Sequence, residues 1–227
     1  MTPCRGTASL QREVDLILHT PHNATYDAGQ ALSAYGSGET LTVRSRPLAN
    51  CSWSTHTPEA HSTTHLKAGG AKFVEVGWVE DADGHFSWFG EANDGTCAVA
   101  CWGGFDNGGT LPDPGSTPYD ARFWLGNISG TQEWHLFVDW TGDGQADASI
   151  QTPDLNFNHG IPKGETGRRP TGPGTSALDH HDAMQFQNGN GNWVAWKGNK
   201  VASDDMCNFD WSYVHDDEYR VQPSGSC

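Results

Sequence analysis

From residue 71 onward the chain alternates apolar and polar positions with a period of two. In "AKFVEVGWVED" (71–81), Val74, Val76 and Trp78 fall on one side of an extended chain, and Phe73, Glu75 and Gly77 on the other. The rhythm recurs in "HFSWFGEA" (85–92), "ARFWLG" (121–126) and "EWHLFVDW" (133–140), with turn-forming stretches such as "DADG" and "TGDG" between runs. Adding "TCAVACWGGF" (96–105), "QADASIQT" (145–152), "AMQFQ" (183–187), "NWVAWKG" (192–198) and "YRVQ" (219–222), the pattern predicts about ten strands joined mostly as hairpins, an all-β fold of two antiparallel sheets in a β-sandwich or jelly roll.

Other stretches read differently. "LQREVDLIL" (10–18) suits a helix or a strand. Residues 19–65 are rich in Thr, Ser, His, Gly and Pro, strand-like only at "LTVRS" (41–45), and residues 1–65 are expected to form an irregular segment packed on the sandwich. Residues 66–227 are expected to hold the β-sandwich catalytic region, within a single domain overall. "NHGIPKGETGRRPTGPGTS" (158–176) predicts a long Gly/Pro loop or a sheet edge.

Composition sharpens this reading. Only 18% of the 227 residues are charged, 28 are glycine and ten are tryptophan, as expected of a turn-rich all-β protein. Thirteen Lys and Arg against 28 Asp and Glu leave a formal charge of −15, which argues against a nucleic-acid partner, whose binding needs basic side chains. It suits instead a soluble, self-repelling, monomeric protein working at low pH. No apolar run approaches the ~18 residues of a membrane span. The first residues lack the basic start and apolar stretch of a leader, so we expect a leader to have been removed and Met1 added for expression. Six cysteines point to an oxidising, extracellular compartment and to a secreted protein with all six bridged; the most local pairing is Cys97 with Cys101 in "GTCAVAC". Sequons stand at Asn23, Asn50 and Asn127.

The candidate chemistry narrows by type. There is no G-x-S-x-G elbow and no H-E-x-x-H, and bridged cysteines are not nucleophiles. In "LDHHDAMQF" (178–186), neighbouring residues on a strand point to opposite faces, so Asp179, His180, His181 and Asp182 make a poor ligand set for one metal. In "DWTGDGQAD" (139–147) the acidic spacing resembles a calcium loop, but Thr141 and Ile150 stand where carboxylates belong, and a hairpin turn explains the same residues. We therefore expect no metal and no cofactor. Carboxylate pairs remain: Glu75 in mid-strand and Glu165 in "IPKGETGRR" can meet only across a fold, and water-activating chemistry needs one protonated and one ionised carboxyl.

"VEVGW" (74–78), followed by "GTCAVACWGGF" (95–105), resembles the core of the neprosin-type glutamic peptidases, in which a Glu-x-Gly-Trp strand precedes a short Cys-to-Cys loop ending in Gly-Phe. The similarity covers roughly residues 71–105 and extends loosely to "GETGR" (164–168), although Lys163 and Thr166 replace the Gly and Val that usually flank the second glutamate. The resemblance implies a jelly-roll-like sandwich, metal-independent endopeptidase cleavage near proline, a polypeptide substrate, and Glu75 and Glu165 as the catalytic residues. Trp88, Trp102 and Trp124 are candidates to line a substrate cleft, while Trp78, opposite in face to Glu75, belongs to the core. The rival class is a carbohydrate-active or carbohydrate-binding sandwich, which tryptophan richness and paired carboxylates also suit.

Overall fold

The computed structural model describes residues 24–27, 34–45, 59–81, 83–98, 100–169, 179–197, 200–203 and 209–223. Fifteen strands run in chain order: β1 (Ala24–Asp27), β2 (Gly36–Val43), β3 (Glu59–Gly69), β4 (Lys72–Asp81), β5 (Phe86–Asn93), β6 (Trp102–Thr110), β7 (Tyr119–Asn127), β8 (Trp134–Asp139), β9 (Ala148–Gln151), β10 (Ile161–Arg169), β11 (Asp179–Gln187), β12 (Trp193–Ala195), β13 (Lys200–Ser203), β14 (Phe209–His215) and β15 (Glu218–Pro223). They form two open antiparallel sheets. One has the order β13-β1-β10-β3-β4-β5-β6; the other runs β14-β15-β11-β2-β7-β8-β9, with β12 paired to β11. The expected all-β sandwich is what the chain forms. The 10–18 stretch lies outside the described residues.

Period-two burial explains the layers. On β4, Val74, Val76 and Trp78 are buried against the second sheet, where Phe123 and Leu125 of β7 and Trp134, Leu136 and Val138 of β8 face them. Each buried side chain of this size contributes about 1.5–3 kcal/mol, so this double layer is the main source of stability.

Two expectations need correction. Residues 1–65 are not irregular throughout: β2 lies in the middle of the second sheet, paired with β7 and β11, and β3 lies in the middle of the first, between β4 and β10. Nor is 158–176 simply a loop or edge, because Ile161–Arg169 is strand β10. It accepts Pro162 because its pairing with β1 covers only Glu165 and Thr166, so the proline lies beyond that contact.

The polar strands sit inside because their polar groups meet one another. Between the sheets, His181 Nδ1 lies 2.7 Å from Glu39 Oε2, and His181 Nε2 lies 2.7 Å from Thr166 Oγ1. Thr166 Oγ1 in turn lies 3.2 Å from Ser62 Oγ, and Ser37 Oγ lies 2.7 Å from Thr64 Oγ1. Glu39 is 1% exposed and His181 0%. Burial holds the Glu39 carboxyl well above its ordinary pKa, against a smaller opposing pull from the Thr64 hydroxyl. Gly164 leaves room for this cluster, since a Cβ would lie 2.8 Å from the Tyr219 hydroxyl and 2.9 Å from Glu39 Oε1 and would push those side-chain ends aside. This chain of contacts ties β10 and β3 of one sheet to β2 and β11 of the other.

Removing one partner of a buried charged or strongly polar pair leaves the other uncompensated. His181→Ala is therefore expected to lower unfolding free energy by about 3–5 kcal/mol, read by denaturant titration. A loss within the ~0.5 kcal/mol typical of surface changes would show that the chain of contacts does not hold the sheets together.

Candidate active site

The register of the first sheet brings two rows of functional side chains to its outer face. In one row Lys163 of β10, His65 of β3, Glu75 of β4 and Glu91 of β5 stand opposite one another. Two residues along lies the next row, Glu165, Thr63, Gly77 and Phe89. Because the rows are two residues apart, both project to the same side, away from Val74, Val76 and Trp78. Glu75 and Glu165, ninety positions apart in sequence, thus share one face. They are separated by β3 and one row, so their backbones lie roughly 12 Å apart at ordinary strand spacings, with Thr63 and His65 of β3 between them.

Gly77 makes this approach possible. A Cβ there would fall 2.1 Å from the Ser62 carbonyl oxygen and 2.7 Å from Thr63 Cα, so any side chain would force β4 away from β3. The glycine of the Glu-x-Gly-Trp run is accounted for by this contact between neighbouring backbones. Phe89, fully buried, stands opposite it on β5.

The two glutamates differ in surroundings. Burial pushes the Glu75 carboxyl well above its ordinary pKa, and the negative charges of Glu91 and then Glu165 push it the same way, with weaker opposition from the Thr63 hydroxyl and Lys67. Burial would also raise Glu165, but His61, whose Nε2 lies 3.7 Å from Glu165 Oε1, together with the positive fields of His65 and Lys67, outweighs it and leaves the carboxyl below its ordinary value. Glu165 keeps 17% side-chain exposure. His65 is pushed down to about 4, chiefly by burial, with Glu165 pulling it up and Lys67 and Lys163 pushing it down. The two carboxyls on this face are thereby displaced in opposite directions, Glu75 toward its acid form and Glu165 toward its ionised form, the asymmetry that acid–base work requires.

The tryptophans are placed elsewhere, which corrects their assignment to the cleft. Trp88 is buried between the sheets, and Trp102 packs against the same core. Trp124 lies on the second sheet, stacked on Phe137 at 5.1 Å with the Arg122 guanidinium 5.6 Å from its ring, on the side opposite to the buried Phe123 and Leu125. None shares the face of Glu75. His61, His65 and Glu91 take their place; the H-x-x-x-H spacing on one strand, which puts both rings on one face, was the available signal.

The remaining motifs are structural in their contacts. Cys97 and Cys101 are disulfide-bonded, as expected; the other four cysteines lie outside the described residues. Asp139 accepts hydrogen bonds from the Gly142 and Gly144 amides at 2.7 and 2.9 Å, and Asp147 from those of Trp140 and Thr141, so this loop binds its own backbone. His180 and His181 diverge, the first to Glu218 at 2.6 Å and the second to Glu39.

Comparison with solved structures agrees with this architecture. The chain superposes on scytalido-glutamic peptidase bound to a peptide-based transition-state analogue with a TM-score of 0.57 at 11% identity, covering 90% of this chain and 99% of that one. A second structure of that enzyme, with a transition-state analogue inhibitor, gives a TM-score of 0.60 at 9% identity, over 91% and 99%. SCP-B, a member of the eqolisin family of peptidases in complex with the tripeptide Ala-Ile-His, gives 0.55 at 10% identity, over 90% and 99%. No protein-family model matches the sequence, and no curated protein sequence does. The fold is that of the glutamic peptidases.

His65 sets a pH limit on stability. Its pKa is lower folded than unfolded, so its contribution is intact above about pH 6.5 and declines as pH falls toward about 4. The full loss is roughly 3 kcal/mol at one pKa unit per 1.36 kcal/mol. His65→Gln is expected to flatten the decline of melting temperature between pH 6.5 and 4; an unchanged slope would show that His65 is protonated at little cost in the folded protein.

Proposed function

We propose that the chain is a secreted, monomeric, neprosin-type glutamic endopeptidase that cleaves polypeptides near proline. The observation that carries this reading is the meeting of Glu75 and Glu165 on one sheet face with opposite pKa displacements. The shared fold with glutamic peptidases supports it, as do the Glu-x-Gly-Trp strand and the Cys97–Cys101 loop.

The opposite pKa displacements favour one division of roles. Glu165, ionised, takes a proton from a water as its oxygen attacks the scissile carbonyl. Glu75, protonated, donates to the developing oxyanion and then, through it, toward the leaving nitrogen. His61 and the positive field of Lys67 keep Glu165 charged while it waits for substrate. Two carboxyls suffice for this chemistry without a metal.

The rate is expected to follow a bell below neutrality. Its acid limb marks protonation of Glu165, shifted down by its histidine neighbours; its alkaline limb marks loss of the Glu75 proton, shifted up by burial. Glu75→Gln and Glu165→Gln should each lower cleavage of a proline-containing peptide by roughly a hundredfold or more. At pH 7, Glu75→Gln should leave melting unchanged or higher, because it removes a carboxyl that the folded state keeps from ionising. A rate rising steadily to pH 9, full activity in either variant, or loss in EDTA reversed by calcium or zinc would overturn the reading. Hydrolysis of a polysaccharide with no action on peptide would favour the carbohydrate class.

A further inference from the structure

The site holds a carboxylate that a two-glutamate mechanism does not use. Glu91 lies directly across the β4–β5 ladder from Glu75. Directly opposed residues on antiparallel strands hold their Cβ atoms about 4.5–5.5 Å apart, which makes Glu91 the nearer carboxylate to Glu75; Glu165 is a strand and a row further off. Like charges directly opposed across a ladder are unfavourable. A half-buried pair of this kind is relieved when the two carboxyls hold a single proton between them.

We propose that Glu91 is a positioning residue of the site: it shares one proton with Glu75, so that Glu75 stands ready as the acid while Glu165 stays ionised. The proposal rests on the glutamate-peptidase reading above and adds a third carboxyl to it. The groups facing Glu75 support a division of labour. From β3 come Thr63, His65 and Lys67; from β10 come Lys163 and Glu165; from β5 comes Glu91. The cations and histidines lie on the Glu165 side, where β3 and β10 meet, and β5 presents the anion. The site is therefore polarised across the sheet, ionised toward β10 and proton-holding toward β5. When Glu75 gives its proton to the substrate oxygen, Glu75 and Glu91 are left doubly anionic, which favours prompt recovery of a proton. The proton that Glu165 took from water leaves with the amine product or through solvent, so the cycle balances.

The test is the pH–rate profile of Glu91→Gln and Glu91→Ala, with melting temperature as a check on folding. Both variants should move the alkaline limb to lower pH by about one unit and leave the acid limb in place. An alkaline limb that stays or rises, or a uniform loss at every pH with both limbs unmoved, overturns the proposal. A second readout does not need activity: carboxyl ¹³C titration of Glu75 by NMR, with and without Glu91→Gln. Titration of Glu75 at lower pH in the variant supports the sharing, and unchanged titration refutes it. A parent protein without peptidase activity would count against the function proposed above, while this titration would still decide the role of Glu91.

Discussion

The site depends on β3 lying between β10 and β4 in one fixed register. That register sets Thr63 between Glu165 and Gly77, and His65 between Lys163 and Glu75. A slip of β10 by one residue would turn Glu165 into the sandwich and bring Thr166 out, since successive residues on a strand face opposite ways. The register is held from behind. Thr166, the neighbour of Glu165, is clamped by His181 and Ser62, and Gly164 on its other side fits against Glu39 and Tyr219. From the side, Gly77 lets the β3 backbone press so close that no other residue fits.

This arrangement accounts for an interior that is unusually polar in one region. A sandwich core built only from Val, Leu and Trp, as on β4, β7 and β8, would be stable without Glu39 or His181. Their contact chain specifies which strands meet and in what alignment, a role that buried polar groups serve better than interchangeable apolar ones. On the outer face the same strands carry groups whose charges are unequal by position. Burial and Glu91 act on Glu75, while His61, His65 and Lys67 act on Glu165, so two chemically identical carboxyls take different protonation states.

Sequence alone conveyed the strands whose one face is apolar. β4, β5, β7 and β8 alternate plainly, and the placement of Glu75 on the face opposite Trp78 follows from parity. β3 and β10 do not show because most of their positions are polar or glycine, and of β2 only the end at 41–43 reads as strand, within "LTVRS". β3, "EAHSTTHLKAG", has one large apolar residue, and the partners of its buried Ser62 and Thr64 hydroxyls, Thr166 and Ser37, are distant in sequence. β10, with proline and two glycines, carries loop chemistry in its residues, and only its neighbours make it a strand. Trp88 lies in the core and not on the face of Glu75, because it differs from Glu91 by three positions, which on one strand puts the two on opposite faces. Trp124 faces away from the site because β7 belongs to the other sheet, a fact of topology that no local pattern carries.

The central claim is that Glu75 and Glu165 together handle one water and one carbonyl. The most direct measurement is a crystal structure of the protein with a peptide-based analogue of the tetrahedral transition state. The account predicts the tetrahedral centre between the two carboxyls on the outer face of β3, β4 and β10, with one of its oxygens hydrogen-bonded to Glu75 and the other to Glu165. An analogue seated on another surface, or one whose tetrahedral oxygens touch neither glutamate, would contradict it.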